Sequence, residues 1–181
     1  MDEADEAALV ARSLDGDHAA FASLIGAHQR VLYNVALRML NNREDARDVI
    51  QTVFLKAWRK LHTFDRRLKF FSWIYRIMLN ETLNLLERRR PHDALDEGLV
   101  SEERTPDERC HEREVSAVIQ RALMELTPAQ RQLIILHHFH HLSHREMGDM
   151  LAIPDKTVKS RLYTARQHLG AILQRSGMGP S

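Results

Sequence analysis

The sequence predicts an all-α protein of two small helical domains, an N-terminal helical bundle and a C-terminal helix-turn-helix bundle, joined by a flexible acidic linker. Three observations lead to this fold class. Apolar residues recur at helical spacing through most of the 181 residues. Only seven glycines and five prolines interrupt them, too few for a loop-rich β-sandwich or barrel. Charge is distributed in alternating blocks, which indicates two domains and a connecting segment.

The N-terminal domain, residues 1–92, is predicted to be a bundle of three main helices, with a fourth if residues 5–15 also fold. Each main helix is indicated by one stripe of apolar side chains. A short basic turn, Asp65–Lys69 (DRRLK), precedes the third stripe. That helix should end before Pro91, because the residue preceding a proline disfavours the helical conformation. The predicted helices cover about 17–40, 46–61 and 70–89.

Residues 93–112 are predicted to be a flexible tether that leads to the C-terminal domain, residues 113–181. They contain Gly98 and Pro106 and show no sustained apolar period. The region is also acidic, since residues 93–114 hold nine acids and three arginines. A segment this polar has too little apolar surface to offset the entropy lost on ordering it.

The C-terminal domain contains two capping boxes, in which a Ser or Thr begins a helix and a Glu or Gln follows three residues later. Thr127–Gln130 (TPAQ) is the first and Ser143–Glu146 (SHRE) is the second. The second opens a short helix to Leu151, and a tight turn at Ala152–Pro154 leads into a long final helix. A short helix, a tight turn and a long helix with exposed bases are typical of the helix-turn-helix DNA-binding motif.

Charge is concentrated in blocks, although the whole chain carries only +1. Residues 20–92 hold fourteen bases and six acids, and residues 115–181 hold eight bases and four acids. Acidic blocks lie before and between them, at 1–19 and 93–114. Two basic blocks indicate two domains that face nucleic acid. The alternative is ordinary solvated surface charge.

Several classes of protein conflict with this composition. A single cysteine, Cys110, excludes an intramolecular disulfide framework and a zinc site built of cysteines alone. No apolar run approaches the ~20 residues of a membrane span. The acidic start, Met1–Glu6 (MDEADE), differs from the basic and then apolar start of a signal peptide. We therefore expect a cytoplasmic protein without direct membrane insertion.

Three stretches, in this order, resemble bacterial sigma factors of the extracytoplasmic-function (ECF) group. Asp45–Arg59 (DARDVIQTVFLKAWR) is similar to the helix with which these factors bind RNA polymerase. Phe70–Asn80 (FFSWIYRIMLN) is similar to their promoter-melting segment, and Leu142–Leu162 (LSHREMGDMLAIPDKTVKSRL) to the motif that recognises the minus-thirty-five element. The tether leaves no room for the middle domain of larger sigma factors. The resemblance covers 17–92 and 113–174 and implies a subunit without catalysis of its own, which lends promoter recognition to polymerase.

The second predicted helix presents carboxylate, amide and apolar groups between its buried rows. Such a mixed face suits a protein–protein contact with a polar rim. By resemblance, the partner is the coiled-coil clamp of the largest polymerase subunit. The candidate residues for this contact are Asp45, Asp48, Gln51, Thr52 and Leu55.

Opening of DNA requires a surface that holds bases outside the stack, since unstacking costs a few kcal/mol per base. Aromatic rings can supply stacking surface and basic side chains can neutralise phosphates. By resemblance, the loop Phe64–Phe70 captures a flipped base of the minus-ten element, and two asparagines face its upstream duplex. Trp73 could instead belong to the core. The candidate residues are Arg66, Arg67, Lys69, Trp73, Tyr75, Arg76, Asn80 and Asn84.

The inward row of the final helix, Val158, Leu162 and Ala165, leaves the opposite face of its N-terminal half to enter a major groove. Hydroxyl, amine and aromatic groups on that face can contact base edges. Flanking basic side chains are better suited to phosphates. The candidate groove-facing residues are Thr157, Lys159, Ser160, Tyr163 and Thr164, and the candidate phosphate contacts are Lys156, Arg161 and Arg166, with Arg145 from the preceding helix.

Two departures from the family pattern accompany the resemblance. Gly148 stands where the motif usually has Ala, and Ala152 stands where it usually has Gly, so Ala152 could strain a turn that requires positive φ. The run His137–His141 (HHFHH) replaces a more varied stretch. His137, His140, His141 and His144 share a face if one helix continues through them, a spacing compatible with zinc. Because no carboxylate joins them and Ser143 should begin a new helix, we predict no metal and no cofactor.

Two other classes of function compete with the sigma factor. A stand-alone helix-turn-helix regulator would sense a ligand or dimerise through its N-terminal domain, which leaves the polymerase-type helix and the aromatic-basic segment unexplained. An enzyme is disfavoured, since the chain has no Gly-rich phosphate loop, no His-Glu-x-x-His and no nucleophile elbow. The resemblance implies three partners: core RNA polymerase, promoter DNA, and a membrane-linked anti-sigma factor that holds the chain inactive until a signal releases it.

Overall fold

The computed structural model of the protein describes residues 2–89 and 106–177. Within these ranges all regular structure is helical, which confirms the predicted all-α class. The helices are α1 Glu3–Leu14, α2 His18–Leu40, α3 Arg43–Lys60, α4 Phe70–Arg88, α5 Pro106–Glu125, α6 Pro128–Ile134, α7 His144–Leu151 and α8 Asp155–Arg175. A 3₁₀ turn covers Leu61–Thr63, and a π-helical turn at Ile135–Phe139 continues α6.

The described residues form two compact units, one of residues 2–36 and 44–89 and the other of 37–43 and 106–177. No helix in the described part of the chain is long and apolar enough to cross a membrane.

The first unit buries one stripe from each of its helices. The segment 5–15, which the sequence left open, is helical and contributes Val10 and Ser13 to the interior. Residues three and four apart share a face of a helix, so the apolar positions of α2, α3 and α4 meet in a single core. The side chains that are essentially inaccessible include Leu24, Leu32, Ala46, Val53, Phe70, Ile74 and Met78.

Helix α5 begins at Pro106, earlier than the predicted start of the C-terminal domain at 113. Residues 106–112 of the predicted tether therefore have a helical backbone, and the rest of the predicted tether, 93–105, lies outside the described residues. Proline is favoured at the first position of a helix. This turn is polar, so the apolar period that indicates the other helices does not mark it.

Both predicted capping boxes are present in the second unit. The backbone N–H of Gln130 donates to Thr127 Oγ1 over 3.3 Å, and the backbone N–H of Thr127 donates to Gln130 Oε1 over 3.3 Å. The Ser143 N–H likewise donates to Glu146 Oε2 over 2.9 Å, and the Glu146 N–H donates to Ser143 Oγ over 3.2 Å. These bonds satisfy donors that have no partner inside the helix, and they set where α6 and α7 begin.

Arg131 of α6 is buried, although it lies in the basic block of residues 115–181. Its Nε donates to the Leu123 carbonyl over 2.8 Å, and one terminal nitrogen donates to the carbonyls of Met124 and Leu126 over 2.9 and 3.1 Å. These carbonyls end α5, where a helix presents unpaired acceptors and partial negative charge. Burial lowers the pKa of Arg131 to about 10. The guanidinium therefore joins α5 to α6 from the interior.

Both residues of the first departure from the family pattern, Gly148 and Ala152, lie at or next to the turn between α7 and α8. Ala152 adopts the left-handed conformation, with φ 54° and ψ 43°. Gly148 is buried, and a Cβ at that position would lie 2.8 Å from the Ile153 carbonyl oxygen and 2.9 Å from Asp155 Oδ1. The chain therefore has its glycine where the turn backbone approaches most closely, and an alanine where positive φ is required.

We predict that Ala152→Gly stabilises the C-terminal unit by about 0.5–1 kcal/mol. An L-residue costs roughly 1–2 kcal/mol in the left-handed region, and the extra backbone entropy of glycine offsets roughly 0.5–1 kcal/mol of that. Gly148→Ala should destabilise the same unit, because the new Cβ meets backbone. Urea unfolding followed by circular dichroism measures both free energies. An unchanged or lower stability for Ala152→Gly would show that the turn is not strained.

Candidate nucleic-acid and partner interfaces

The outer face of α3 carries most of the residues predicted for a protein contact. Asp48 and Gln51 are exposed, and Leu55 is an apolar side chain with 62 % of its surface exposed. Thr52 is half-buried beside them. The opposite face of the helix is packed into the core through Val49, Val53 and Ala57, among others. An exposed leucine flanked by a carboxylate and an amide is a suitable centre for an interface with a polar rim.

Asp45 does not belong to this free face. Its carboxylate forms an ion pair with Arg89, the residue after α4, and only 20 % of its side chain is exposed. Helices α3 and α4 are joined a second time by the pair of Lys56 Nζ and Glu81 Oε1, at 2.6 Å. The prediction that Asp45 points outward is therefore wrong. From the sequence, a carboxylate in the first turn of a helix is expected to face solvent. The sequence does not show that a basic residue 44 positions away pairs with it.

The loop between Phe64 and Phe70 is held in a tight turn by one aspartate. Asp65 Oδ1 accepts from the Arg67 backbone N–H over 3.0 Å, and Asp65 Oδ2 accepts from an Arg67 terminal nitrogen over 2.6 Å. The Leu68 N–H also donates to the Asp65 carbonyl over 2.9 Å. The hydrogen bonds from Arg67 lower the pKa of Asp65 to about 2. Arg66, Arg67 and Lys69 are exposed, and Asp65 balances the charge of Arg67.

Three aromatic side chains, Phe64, Phe70 and Trp73, pack together next to this loop. The Trp73 ring centroid lies 5.4 Å from that of Phe64 and 5.5 Å from that of Phe70, and Trp73 is half-buried. Trp73 is thus both part of the packing and partly accessible. Leu68 at the tip of the loop is 44 % exposed.

Tyr75 offers no aromatic surface, which corrects our expectation. Its side chain is fully buried, and its hydroxyl has no hydrogen-bond partner within the described residues. Burial raises the pKa of the Tyr75 hydroxyl. The apolar row of α4 runs through Phe70, Ile74 and Met78, and Tyr75 lies beside Ile74 on the same inward side. The remaining candidates on α4 form a separate stripe at four-residue spacing, with Arg76 half-buried and Asn80 and Asn84 exposed.

The outer face of α8 presents every predicted groove-facing residue. Val158, Leu162 and Ala165 are buried, and α8 packs against α6 and α7, so the opposite side of the helix faces out. Tyr163 is 65 % exposed, the highest fraction among the exposed large apolar side chains. Thr157 is half-buried, and the exposed candidates are Arg145, Lys156, Lys159, Ser160, Arg161, Thr164 and Arg166.

Two histidines connect α8 to preceding segments through hydrogen bonds that the sequence did not reveal. Arg166 Nε donates to His138 Nε2 over 3.2 Å, which requires that nitrogen of the imidazole to be unprotonated. Further along α8, His168 Nδ1 lies 2.7 Å from the side-chain nitrogen of Gln130. These bonds join residues 28 and 38 positions apart, so no local pattern could have indicated them.

The histidine run does not form one helical face. The π-helical turn ends at Phe139, and His141 has a φ of 53°, so the phase is lost before Ser143 begins α7. His137 and His144 stack with ring centroids 5.6 Å apart. Within the ranges that the structure describes, no group of three or more His, Cys, Asp or Glu side chains could hold a metal ion.

Comparison with known proteins shows the family of the chain. Residues 24–92 match the family Sigma-70 region 2, and residues 116–169 match Sigma-70, region 4. The ECF RNA polymerase sigma factor SigW of Bacillus subtilis is 32 % identical over 166 residues, which cover 85 % of this chain and 89 % of SigW. This chain belongs to the ECF sigma factors. A stand-alone regulator is thereby set aside.

Two further relatives support the same assignment for this sigma factor. The RNA polymerase sigma factor NccH of Alcaligenes xylosoxydans is 35 % identical over 182 residues, covering 97 % of this chain and 98 % of NccH. The solved structure of CnrH, in complex with the cytosolic domain of CnrY, superposes with a TM-score of 0.73 at 27 % identity, covering 94 % of this chain and 98 % of CnrH.

We predict that this sigma factor loses stability in its C-terminal unit as the pH falls below about 6.5. Partial burial, and then the charge of Arg166, lowers the pKa of His138 from 6.5, and burial likewise lowers the pKa of His140. The unfolded chain takes up protons near pH 6.5 while the folded chain does not, so stability is complete above that pH and declines below it.

Thermal unfolding between pH 7.5 and 5.5 checks this expectation. The control is His138→Gln with His140→Gln, which removes both titrating rings and retains a side-chain acceptor for Arg166. The double variant should lose less stability than the wild-type protein over this interval. Equal losses would show that other groups cause the pH dependence.

Proposed function

We propose that this sigma factor binds core RNA polymerase through Asp48, Gln51, Thr52 and Leu55, opens the promoter with the loop Phe64–Phe70 and α4, and recognises the minus-thirty-five element with α8. The observation that carries the proposal is the outer face of α8. The side chains proposed to contact bases and phosphates lie on the side of α8 opposite its buried row. A capped short helix, α7, and a tight turn precede α8. A recognition helix docked in the major groove requires this arrangement.

The first unit supplies the surface for melting. Arg66 and Lys69 can neutralise phosphates of the separated strands, and Trp73 offers a partly accessible ring beside the loop. Asn80 and Asn84, on the exposed stripe of α4, would face the duplex upstream. Tyr75 and Asp45 take no direct part, because one is buried and the other is paired within the unit.

We further infer that the chain is not an enzyme, that it acts in the cytoplasm on polymerase, and that an anti-sigma factor linked to the membrane holds it inactive until a signal releases it. The related CnrH was solved bound to the cytosolic domain of CnrY. That complex supports inhibition of this chain by a bound regulatory protein.

One experiment tests the proposal as a whole. The purified chain is added to core RNA polymerase with a library of double-stranded promoters, and transcripts are sequenced. Initiation that starts at defined promoters only when the chain is present supports the proposal. Transcription that does not depend on the chain would overturn it.

We predict that Asp48→Arg with Gln51→Ala lowers the affinity for core polymerase at least tenfold and leaves the fold intact. Both side chains are exposed, so folding loses little, whereas the interface loses a contact and gains a repelling charge. The control is Asp5→Arg with Gln174→Ala, which makes the same chemical change at exposed positions away from α3. If the α3 variant copurifies with core polymerase as well as the control does, this helix is not the polymerase-binding surface.

We predict different effects for two exposed residues of α8. Lys159→Ala should change which minus-thirty-five sequences work, because a lost base contact typically costs ~1–3 kcal/mol at one position. Arg166→Ala should weaken all promoters alike and reduce the salt slope of binding by about one. Binding to a promoter library at several salt concentrations measures both. Identical sequence profiles and salt slopes for the two variants would contradict the proposed docking of α8.

A further inference from the structure

The carboxylate of Glu6 in α1 joins three helices of the first unit. Its Oε1 accepts from the backbone N–H of Phe70 over 3.2 Å, and its Oε2 lies 3.0 Å from His28 Nε2 of α2. The side chains of Glu6 and His28 are 21 % and 16 % exposed, so water competes only weakly for these bonds. Residue 6 lies outside 24–92, the segment that matches region 2 of the family.

Glu6 satisfies a donor that α4 cannot satisfy itself. The first N–H groups of a helix have no partner within it. The residue that precedes α4, Lys69, makes no capping bond with its side chain. A carboxylate at this end is also favoured by the helix dipole. The cap of α4 is therefore supplied from α1, 64 residues away in the sequence.

Phe70 is at once the first residue of α4 and the last residue of the proposed melting loop. Its ring is buried and packs against Phe64, at 5.6 Å between centroids, and against Trp73. The His28 ring lies 5.8 Å from Phe70 and 5.4 Å from Phe71, on the side of Glu6. Glu6 thus holds the backbone of Phe70, and Phe64 and Trp73 hold its side chain. Together these contacts set where the loop ends.

We propose that Glu6 is a positioning residue for promoter opening, which holds the melting loop in the conformation that receives a flipped base. This inference rests on the proposed function of the loop. A loop that is ordered before DNA binds loses less conformational entropy on capture than one that must be ordered by the DNA. Glu6 contacts no base or phosphate in this scheme and acts only through Phe70.

The test compares open-complex formation by polymerase holoenzyme carrying each full-length variant. Glu6→Ala removes the cap, Glu6→Gln keeps an oxygen that can accept from Phe70, and Asp5→Ala removes an exposed carboxylate from the neighbouring position of α1. On a double-stranded promoter we expect Glu6→Ala to reduce opening about tenfold, which corresponds to about 1.4 kcal/mol. Glu6→Gln and Asp5→Ala should stay within about twofold of wild type, and a premelted promoter should restore Glu6→Ala to the same level.

Amide hydrogen exchange at Phe70 reports the cap directly. Protection should fall in Glu6→Ala and persist in Glu6→Gln and Asp5→Ala. Affinity for core polymerase and preference at the minus-thirty-five element should be equal in all four proteins, which a general loss of folding would not allow. If Glu6→Ala does not fold, Glu6→Asp replaces it, because it retains the charge but withdraws the carboxylate by one methylene.

The proposal is overturned if Glu6→Ala behaves like Asp5→Ala on the double-stranded promoter, or if its defect is equally large on the premelted one. Loss of opening without loss of Phe70 protection would also overturn it. Failure of the proposed function is a separate outcome, in which the wild-type protein itself directs no promoter-specific initiation.

Discussion

A helix that buries one stripe of side chains has no freedom in where its other side chains point, and the candidate interfaces of this protein depend on that constraint. Val158, Leu162 and Ala165 are inaccessible in α8, so Lys159 and Ser160 face out. The same geometry applies to α3, whose buried residues leave Leu55 exposed. Core packing therefore decides which chemistry each helix presents, and a substitution in the buried row would misdirect the interface as well as weaken the fold.

Apolar periodicity, composition and local capping motifs were sufficient to predict the all-α class, both capping boxes and the outer face of α8. It was insufficient where an element is polar or where two aromatic residues stand close together. The first turn of α5, from Pro106, has no apolar spacing and lies within the segment that the sequence predicts to be a tether. Trp73 and Tyr75 are only two positions apart, yet one is half-buried and the other fully buried. Residues two positions apart lie on nearly opposite sides of a helix, because each residue turns it by about 100°. An error of two positions in the predicted inward face therefore exchanges buried and exposed residues.

Counting charge overstates how much of it is available for nucleic acid. Arg67 is balanced by Asp65, Arg89 by Asp45, and Arg131 is buried among the carbonyls that end α5. These three arginines belong to the blocks that indicated nucleic-acid binding, but their charge serves the local fold. The basic residues of the proposed interfaces are those on outer faces, such as Arg66, Lys69 and Lys159. Whether a basic side chain is available to bind phosphate depends on the groups that it contacts in the fold. A charge count cannot show such contacts when the contacting residue is distant in the sequence.

The same limitation explains why the polar contacts that orient both interfaces had no sequence signal. Glu6 meets Phe70, and His138 meets Arg166, across separations that no motif spans. In each case a side chain from a neighbouring helix holds a residue of the proposed DNA-binding surface. A hydrogen bond of this kind contributes little net stability, commonly about 1 kcal/mol, yet it selects one orientation among several. Such contacts can therefore vary without altering the fold, and they offer a physical route by which proteins of one family could differ in promoter opening and recognition while retaining the same helices.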